Sequence, residues 1–110
     1  KTKRLIEMCN EATEKSKGNV VLIEKNNQLS YNITYKTRLV AADDYDIQGF
    51  DAFYGFISGM CASNYDITDI FIDSTLKIAG QDFDKLGFHR EAGYPVRKVQ
   101  YKHCVDGFGG

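Results

Sequence analysis

Two short stretches of the chain carry residue types that could bind a phosphate group and its metal ion. Lys1-Thr2 stand directly before a helical pattern, and Asp73 closes the apolar run that ends at Ile72. In the loop G-x-x-x-x-G-K-[ST], the Lys reaches the terminal phosphates and the hydroxyl binds Mg²⁺. An acid at the end of an apolar strand helps to hold the same ion. Lys1 and Thr2 are therefore candidate phosphate ligands, and Thr2 and Asp73 are candidate metal ligands.

Both motifs also have ordinary explanations, which the residues alone leave open. A Lys-Thr pair is frequent by chance, and the glycines whose backbone amides would surround the phosphates are absent before Lys1. An Asp after a buried strand commonly caps a turn. Because the chain begins at Lys1 without Met, we expect it to be processed, truncated or part of a longer protein.

The cysteines and histidines indicate neither a disulfide framework nor a metal site. The three cysteines, Cys9, Cys61 and Cys104, are widely spaced, so we expect reduced thiols, with the first two on apolar helix faces. His103 and Cys104 are neighbours on an expected strand and would point to opposite faces. His89, beside Arg90, is expected in a solvated loop. No residue stands out as catalytic.

The composition is that of a globular protein, and the expected reduced thiols indicate a cytoplasmic one. It has 110 residues, 43% hydrophobic and 26% charged, with a formal net charge of -1. This length suits one domain, with 106–110 as a flexible tail. The near-neutral charge argues against nucleic acid as a partner, and no apolar run reaches the roughly 20 residues of a membrane span.

Apolar periodicity predicts alternating helices and strands. We expect helices over 2–16 and 51–63 and parallel strands over 19–24, 37–42 and 69–73. Gly18 is expected to end the first helix in a left-handed conformation, and Asp51 to cap the second. The predicted core contains Phe56, Ile57, Ile70 and Ile72. This pattern is typical of an α/β three-layer sandwich with a mainly parallel sheet.

Residues 1 to about 80 resemble a family of small P-loop proteins of Firmicutes, bacterial proteins often labelled ATP-binding or twitching-motility ATPase. The matching stretches are "KTKRLIEMCNEA", "GNVVLIEKNNQLSYNITYKTRLVAADDYDI", "FDAFYGFISGMCASNYDITDIFID" and "LKI". The resemblance implies ATP and Mg²⁺ as ligands, bound by Lys1, Thr2 and Asp73. It also implies a P-loop-like core that lacks its first strand and most of its loop, so that nucleotide binding requires an upstream loop.

Two other functions remain open. A non-enzymatic domain could bind a protein partner at the sheet edge that a missing strand leaves unpaired. The stretch "LGFHREAGYPVRKVQYKHCVDGFGG" is similar to the last hairpin of GCN5-related acetyltransferases, which implies an acetyltransferase remnant. The pyrophosphate-binding signature of those enzymes is absent from the sequence.

Overall fold

A computed structural model describes residues 2–25, 37–73 and 82–99 of the chain. Two helices and five strands lie in these ranges. In chain order they are α1 (Thr2–Lys15), β1 (Asn19–Glu24), β2 (Thr37–Ala41), α2 (Gly49–Ser63), β3 (Ile67–Ile72), β4 (His89–Glu91) and β5 (Tyr94–Lys98). Short 3-10 turns precede α2 at Ala42–Tyr45 and β4 at Asp82–Leu86. Both predicted helices and all three predicted strands are present within a few residues of their expected bounds.

The five strands form one mixed sheet in the order β2-β1-β3-β5-β4. β1 pairs in parallel with both β2 and β3, as the continuous apolar runs predict. β5 pairs antiparallel with β3 and with β4. The sheet is therefore mixed, and the expected predominance of parallel pairing is not confirmed for the sheet as a whole. A C-terminal hairpin supplies two antiparallel strands that apolar runs alone do not reveal.

The helices cover opposite faces of this sheet, because alternate strand residues point to opposite sides. Leu5, Met8 and Cys9 of α1 pack with one set of sheet residues, Val20, Leu22, Phe71, Tyr94 and Val96. Phe53 and Ile57 of α2 pack with the other set, which includes Val21, Ile23, Ile67, Ile70 and Ile72. The predicted burial of Ile57, Ile70 and Ile72 is confirmed.

Gly18 has a different role from the expected one. It is not among the glycines with positive φ, so it does not form a left-handed cap. Instead, an added Cβ would overlap the carbonyl oxygen of Asp66 and lie 3.0 Å from the Thr68 methyl group. That same carbonyl accepts a 2.6 Å hydrogen bond from the Asn19 amide. Glycine is required at position 18 because the backbone just before β1 contacts the backbone just before β3.

Two expectations for α2 were also wrong in detail. The helix begins at Gly49 after Gln48, which makes no side-chain capping bond, so Asp51 lies in the first turn and is not the cap. In the first turn, its negative charge still interacts favourably with the helix dipole. Phe53 is fully buried, whereas Phe56 is only partly buried and stacks on Tyr45 with ring centroids 6.3 Å apart.

The hairpin β4–β5 turns through Ala92 and Gly93, both with positive φ. A two-residue loop with two positive φ values suits the right-handed twist of paired strands. His89 therefore lies on an edge strand and not in a loop, and its Nε2 is 2.9 Å from Oε1 of Glu91. Residues 26–36, the expected strand that carries His103 and Cys104, and the 106–110 tail lie outside the described residues.

Candidate functional site

Asp73 directly follows β3 at the carboxyl end of the strand. It is buried, with 8% of its surface exposed, and its amide donates a 2.9 Å hydrogen bond to the carbonyl of Ile23 in β1. Of the other predicted site residues, Lys1 lies outside the described part of the chain. Thr2 begins α1, although its side chain is not described.

Glu24 lies beside Asp73 and was not singled out from the sequence. Ile23 pairs with Ile72 across the parallel strands, so one residue further places Glu24 next to Asp73. Ile23 and Ile72, which directly precede them, belong to the core under α2. Because successive strand residues point to opposite faces, Glu24 and Asp73 face the α1 side of the sheet. Glu24 is only 1% exposed. The sequence feature that could have identified Glu24 is its position at the end of an apolar run, which matches the position of Asp73 after β3.

Tyr94 completes a row across three strands. Phe71 pairs with Val96 in the antiparallel register, and continuing that register places Tyr94 beside Asp73. Tyr94 is 3% exposed and belongs to the core under α1. Burial, and secondly the negative charge of Asp73, raise the pKa of the Tyr94 hydroxyl. The hairpin therefore places the Tyr94 ring beside Asp73.

The direction of α1 brings its first turn to the same edge of the sheet. At its other end, the Thr13 hydroxyl lies 2.6 Å from that of Thr37, and the Ser16 hydroxyl lies 2.5 Å from that of Thr68. Thr37 and Thr68 stand at the amino ends of their strands. A helix of 14 residues spans about 21 Å, about the length of a six-residue strand. Its N-terminus therefore reaches the carboxyl ends, where Glu24 and Asp73 lie.

This arrangement is chemically suited to a metal-bound anion. A helix N-terminus attracts negative charge through its free amides and dipole. Glu24 and Asp73 extend from neighbouring strands, which lie about 4.8 Å apart. Mg²⁺ is commonly bound by one or two carboxylates together with substrate phosphates. The donor set fits that mode, although no group of three acidic, His or Cys side chains occurs among the described residues.

The two described cysteines belong to the helices and their cores. Cys9 is a buried free thiol in the α1 core, and burial, with a smaller contribution from Asp69, raises its pKa to about 12. Cys61 is half-buried on α2 and forms no disulfide. Within the described ranges, no helix combines the length and apolar character needed to cross a membrane.

Comparisons with protein-family models, with curated proteins and with solved structures returned no match.

Proposed function

We propose that this chain is a P-loop-derived core in a three-layer arrangement, which binds ATP with Mg²⁺ when a first strand and a glycine-rich loop are joined to Lys1. The observation that carries the proposal is the position of Glu24 beside Asp73 at the carboxyl ends of β1 and β3, the end of the sheet toward which α1 directs its first turn. Ligands of open α/β sheets bind at this edge, outside the carboxyl ends of the strands.

Strand order and helix placement support the position of the additional strand. α2 leads from β2 to β3 across β1 on one face of the sheet, while α1 lies on the other face. Crossovers between parallel strands share one hand. Because α1 lies on the opposite face, a crossover of that hand through α1 must run in the opposite direction along the sheet. A parallel strand before α1 would then lie on the β3 side of β1.

The nearest position on that side is the outer edge of β3, which β5 occupies here. Val96 is fully buried, and the ammonium of Lys98 donates a 2.5 Å hydrogen bond to Asp69. A strand and β5 cannot both pair with the same edge, since each backbone group of β3 offers one ladder position. In the proposed core the upstream strand replaces β5, and Tyr94 leaves the acidic pair.

The residues have separate roles in the proposed site. Asp73 and the Thr2 hydroxyl would hold Mg²⁺, and Glu24 would add negative charge beside it. Lys1 would contact the terminal phosphates, and the upstream glycines would supply the amides. Magnesium supplies charge neutralisation at the phosphates. The proposal is restricted to binding, because no residue is assigned as a base or an arginine finger.

Titration calorimetry with ATP·Mg²⁺ tests the proposal on two chains. The 110-residue chain should bind no better than about millimolar, roughly 4 kcal/mol, because it lacks the amides of the loop. A chain extended upstream by a strand and a GxxGxG loop should bind at least tenfold more tightly, and Lys1→Ala and Asp73→Asn should each reverse the gain. Equal binding by both chains would refute the proposal, as would micromolar binding by the shorter one.

If the chain is instead a protein-interaction domain, few of its described strand edges can pair with a partner strand. β5 fills the position beside β3, and β4 is a three-residue edge with exposed charged side chains, which discourages pairing. Among the strands that the structure describes, β2 is then the edge at which an added strand would pair. The acetyltransferase alternative stays a proposal that rests on the sequence of the hairpin alone.

A further inference from the structure

A groove of about 480 Å³ lies between α2 and the sheet face that α2 covers, on the side of β2. Val21, Val40 and Ile67 of the sheet line it with apolar side chains. Gly55 and Gly59 line the helical wall, and a Cβ added to either would meet nothing within 4 Å. Pockets for small molecules are typically about 300–1,000 Å³ and mostly apolar, with a few placed polar groups. This groove has the size and the lining of such a pocket.

The two ends of the groove differ in character. α2 leads from the carboxyl end of β2 to the amino end of β3, so it runs antiparallel to both strands. Tyr45 and Phe56 lie at the end near the carboxyl end of β2, where their rings stack with centroids 6.3 Å apart. Arg38, near the amino end of β2, and Asn64, directly after α2, lie at the other end. One end of the groove is therefore aromatic and the other is polar.

Arg38 gives the polar end a positive charge. It is the only charged residue among the described residues that line the groove. Arg38 is exposed, and in the described ranges its guanidinium has no ion-pair or hydrogen-bond partner. The C-terminus of α2 carries about half a negative charge, which the full charge of Arg38 outweighs. A guanidinium binds a carboxylate well, through two parallel hydrogen bonds.

Asn64 supplies further donors at the same end. Its Oδ1 accepts a 3.0 Å hydrogen bond from the Asp66 amide, which sets the orientation of the side-chain amide. The Nδ2 group then has two N–H donors for a ligand oxygen. At the opposite end, the exposed acids Asp44 and Asp46 flank Tyr45 in the sequence. Their negative charge disfavours a carboxylate there, so electrostatics select one orientation of an anionic ligand.

We propose that the groove binds a small aromatic carboxylate, whose ring packs on Phe56 and whose carboxylate is bound by Arg38 and Asn64. Aromatic rings attract one another in offset and edge-to-face contacts. Met60, also in the helical wall, adds a thioether that packs favourably on rings. Val40 and Arg38 are successive residues on one face of β2, about 7 Å apart. A short spacer between ring and carboxylate matches that separation.

Binding in this groove is independent of the proposed nucleotide site. The groove lies on the α2 face of the sheet, whereas Glu24 and Asp73 face α1 at the carboxyl ends of their strands. Failure of either proposal therefore leaves the other intact.

Amide chemical-shift titration of the isotope-labelled 110-residue chain with 3-phenylpropanoate tests the proposal. The matched ligand is 3-phenylpropan-1-ol, which keeps the ring and the spacer but has no charge. The carboxylate should bind with a dissociation constant of about 1 mM, as expected for so small a ligand, and should shift amides in 38–40, 55–60 and 64. The alcohol should bind at least tenfold more weakly, because hydrogen bonds between charged groups are stronger than neutral ones.

Three variants locate the site. Arg38→Gln should weaken binding of the carboxylate at least tenfold and change binding of the alcohol less than twofold. Arg4→Gln is the matched control, since it makes the same change at an exposed Arg on the opposite face of the sheet, and it should alter binding less than twofold. Gly59→Leu should weaken both ligands at least tenfold by filling the groove. Its circular dichroism should be unchanged, because Leu is a better helix former than Gly.

Equal binding of the carboxylate and the alcohol by the parent chain would overturn the proposal, as would shifts centred outside the groove. Equal weakening by Arg38→Gln and Arg4→Gln would overturn it as well, because the attraction would then depend on net charge alone. If neither ligand binds at about 10 mM, the proposal is wrong and the groove has a different occupant.

Discussion

Replacing Gly18 with Ala should destabilise the protein by about 2–3 kcal/mol. The new methyl group would overlap the Asp66 carbonyl oxygen, which is held in place by the Asn19 amide at 2.6 Å. Forcing a methyl group into a packed site costs about 1–3 kcal/mol. Disrupting the hydrogen bond adds about 0.5–1.5 kcal/mol. The reduced freedom of the unfolded chain offsets about 0.4–1 kcal/mol.

Gly55→Ala is the matched control for this prediction. It makes the same chemical change in the middle of α2, where an added Cβ meets nothing. Ala is favoured over Gly inside a helix by about 0.5–1 kcal/mol, so this variant should be more stable than the parent chain. Urea unfolding, followed by circular dichroism, measures both. If the two variants differ by less than 0.5 kcal/mol, the close approach of the β1 and β3 entries is not real.

Two further predictions concern the cores on the two faces of the sheet. Phe53→Ala should cost about 3–5 kcal/mol because Phe53 is fully buried, while Phe56→Ala should cost about 1–2 kcal/mol; equal costs in urea unfolding would contradict the assigned orientation of α2. The raised pKa of Cys9 means that the unfolded state loses its thiol proton first as pH rises. The Cys9 contribution to stability should therefore be complete below pH 9 and fall by up to about 1.4 kcal/mol per unit between pH 9 and 12. Cys9→Ala should remove that part of the slope in unfolding measured at pH 8, 9 and 10, and identical slopes would show that Cys9 is not buried.

Local patterns predicted the first half of the fold well. α1 separates charged from apolar residues at helical spacing, which predicts a helix with one buried face. β1 and β3 are continuous apolar runs, which predict buried strands. The hairpin was harder, because β4 is three polar residues and its turn uses Ala92 with positive φ, a conformation that is unusual for Ala. Its antiparallel pairing with β3 depends on contacts between distant parts of the chain.

The candidate site was predicted only in part for a similar reason. Asp73 could be proposed because it ends an apolar strand. Glu24 ends one too, but its partnership with Asp73 depends on the register between β1 and β3, which no local pattern specifies. Phe56 and Phe53 are both apolar and three residues apart, and only the tilt of α2 over the sheet determines which of them is buried.

The central claim is that the edge formed by Glu24, Asp73 and the first turn of α1 receives a metal-bound nucleotide. Mn²⁺·ATP titrated into the isotope-labelled chain extended by the upstream strand and GxxGxG loop tests it directly, since paramagnetic broadening of amide signals reports which residues lie near the metal. We predict broadening centred on residues 24–25, 73 and the first turn of α1, and its loss in Asp73→Asn. Broadening centred elsewhere, or unchanged by Asp73→Asn, would contradict the claim.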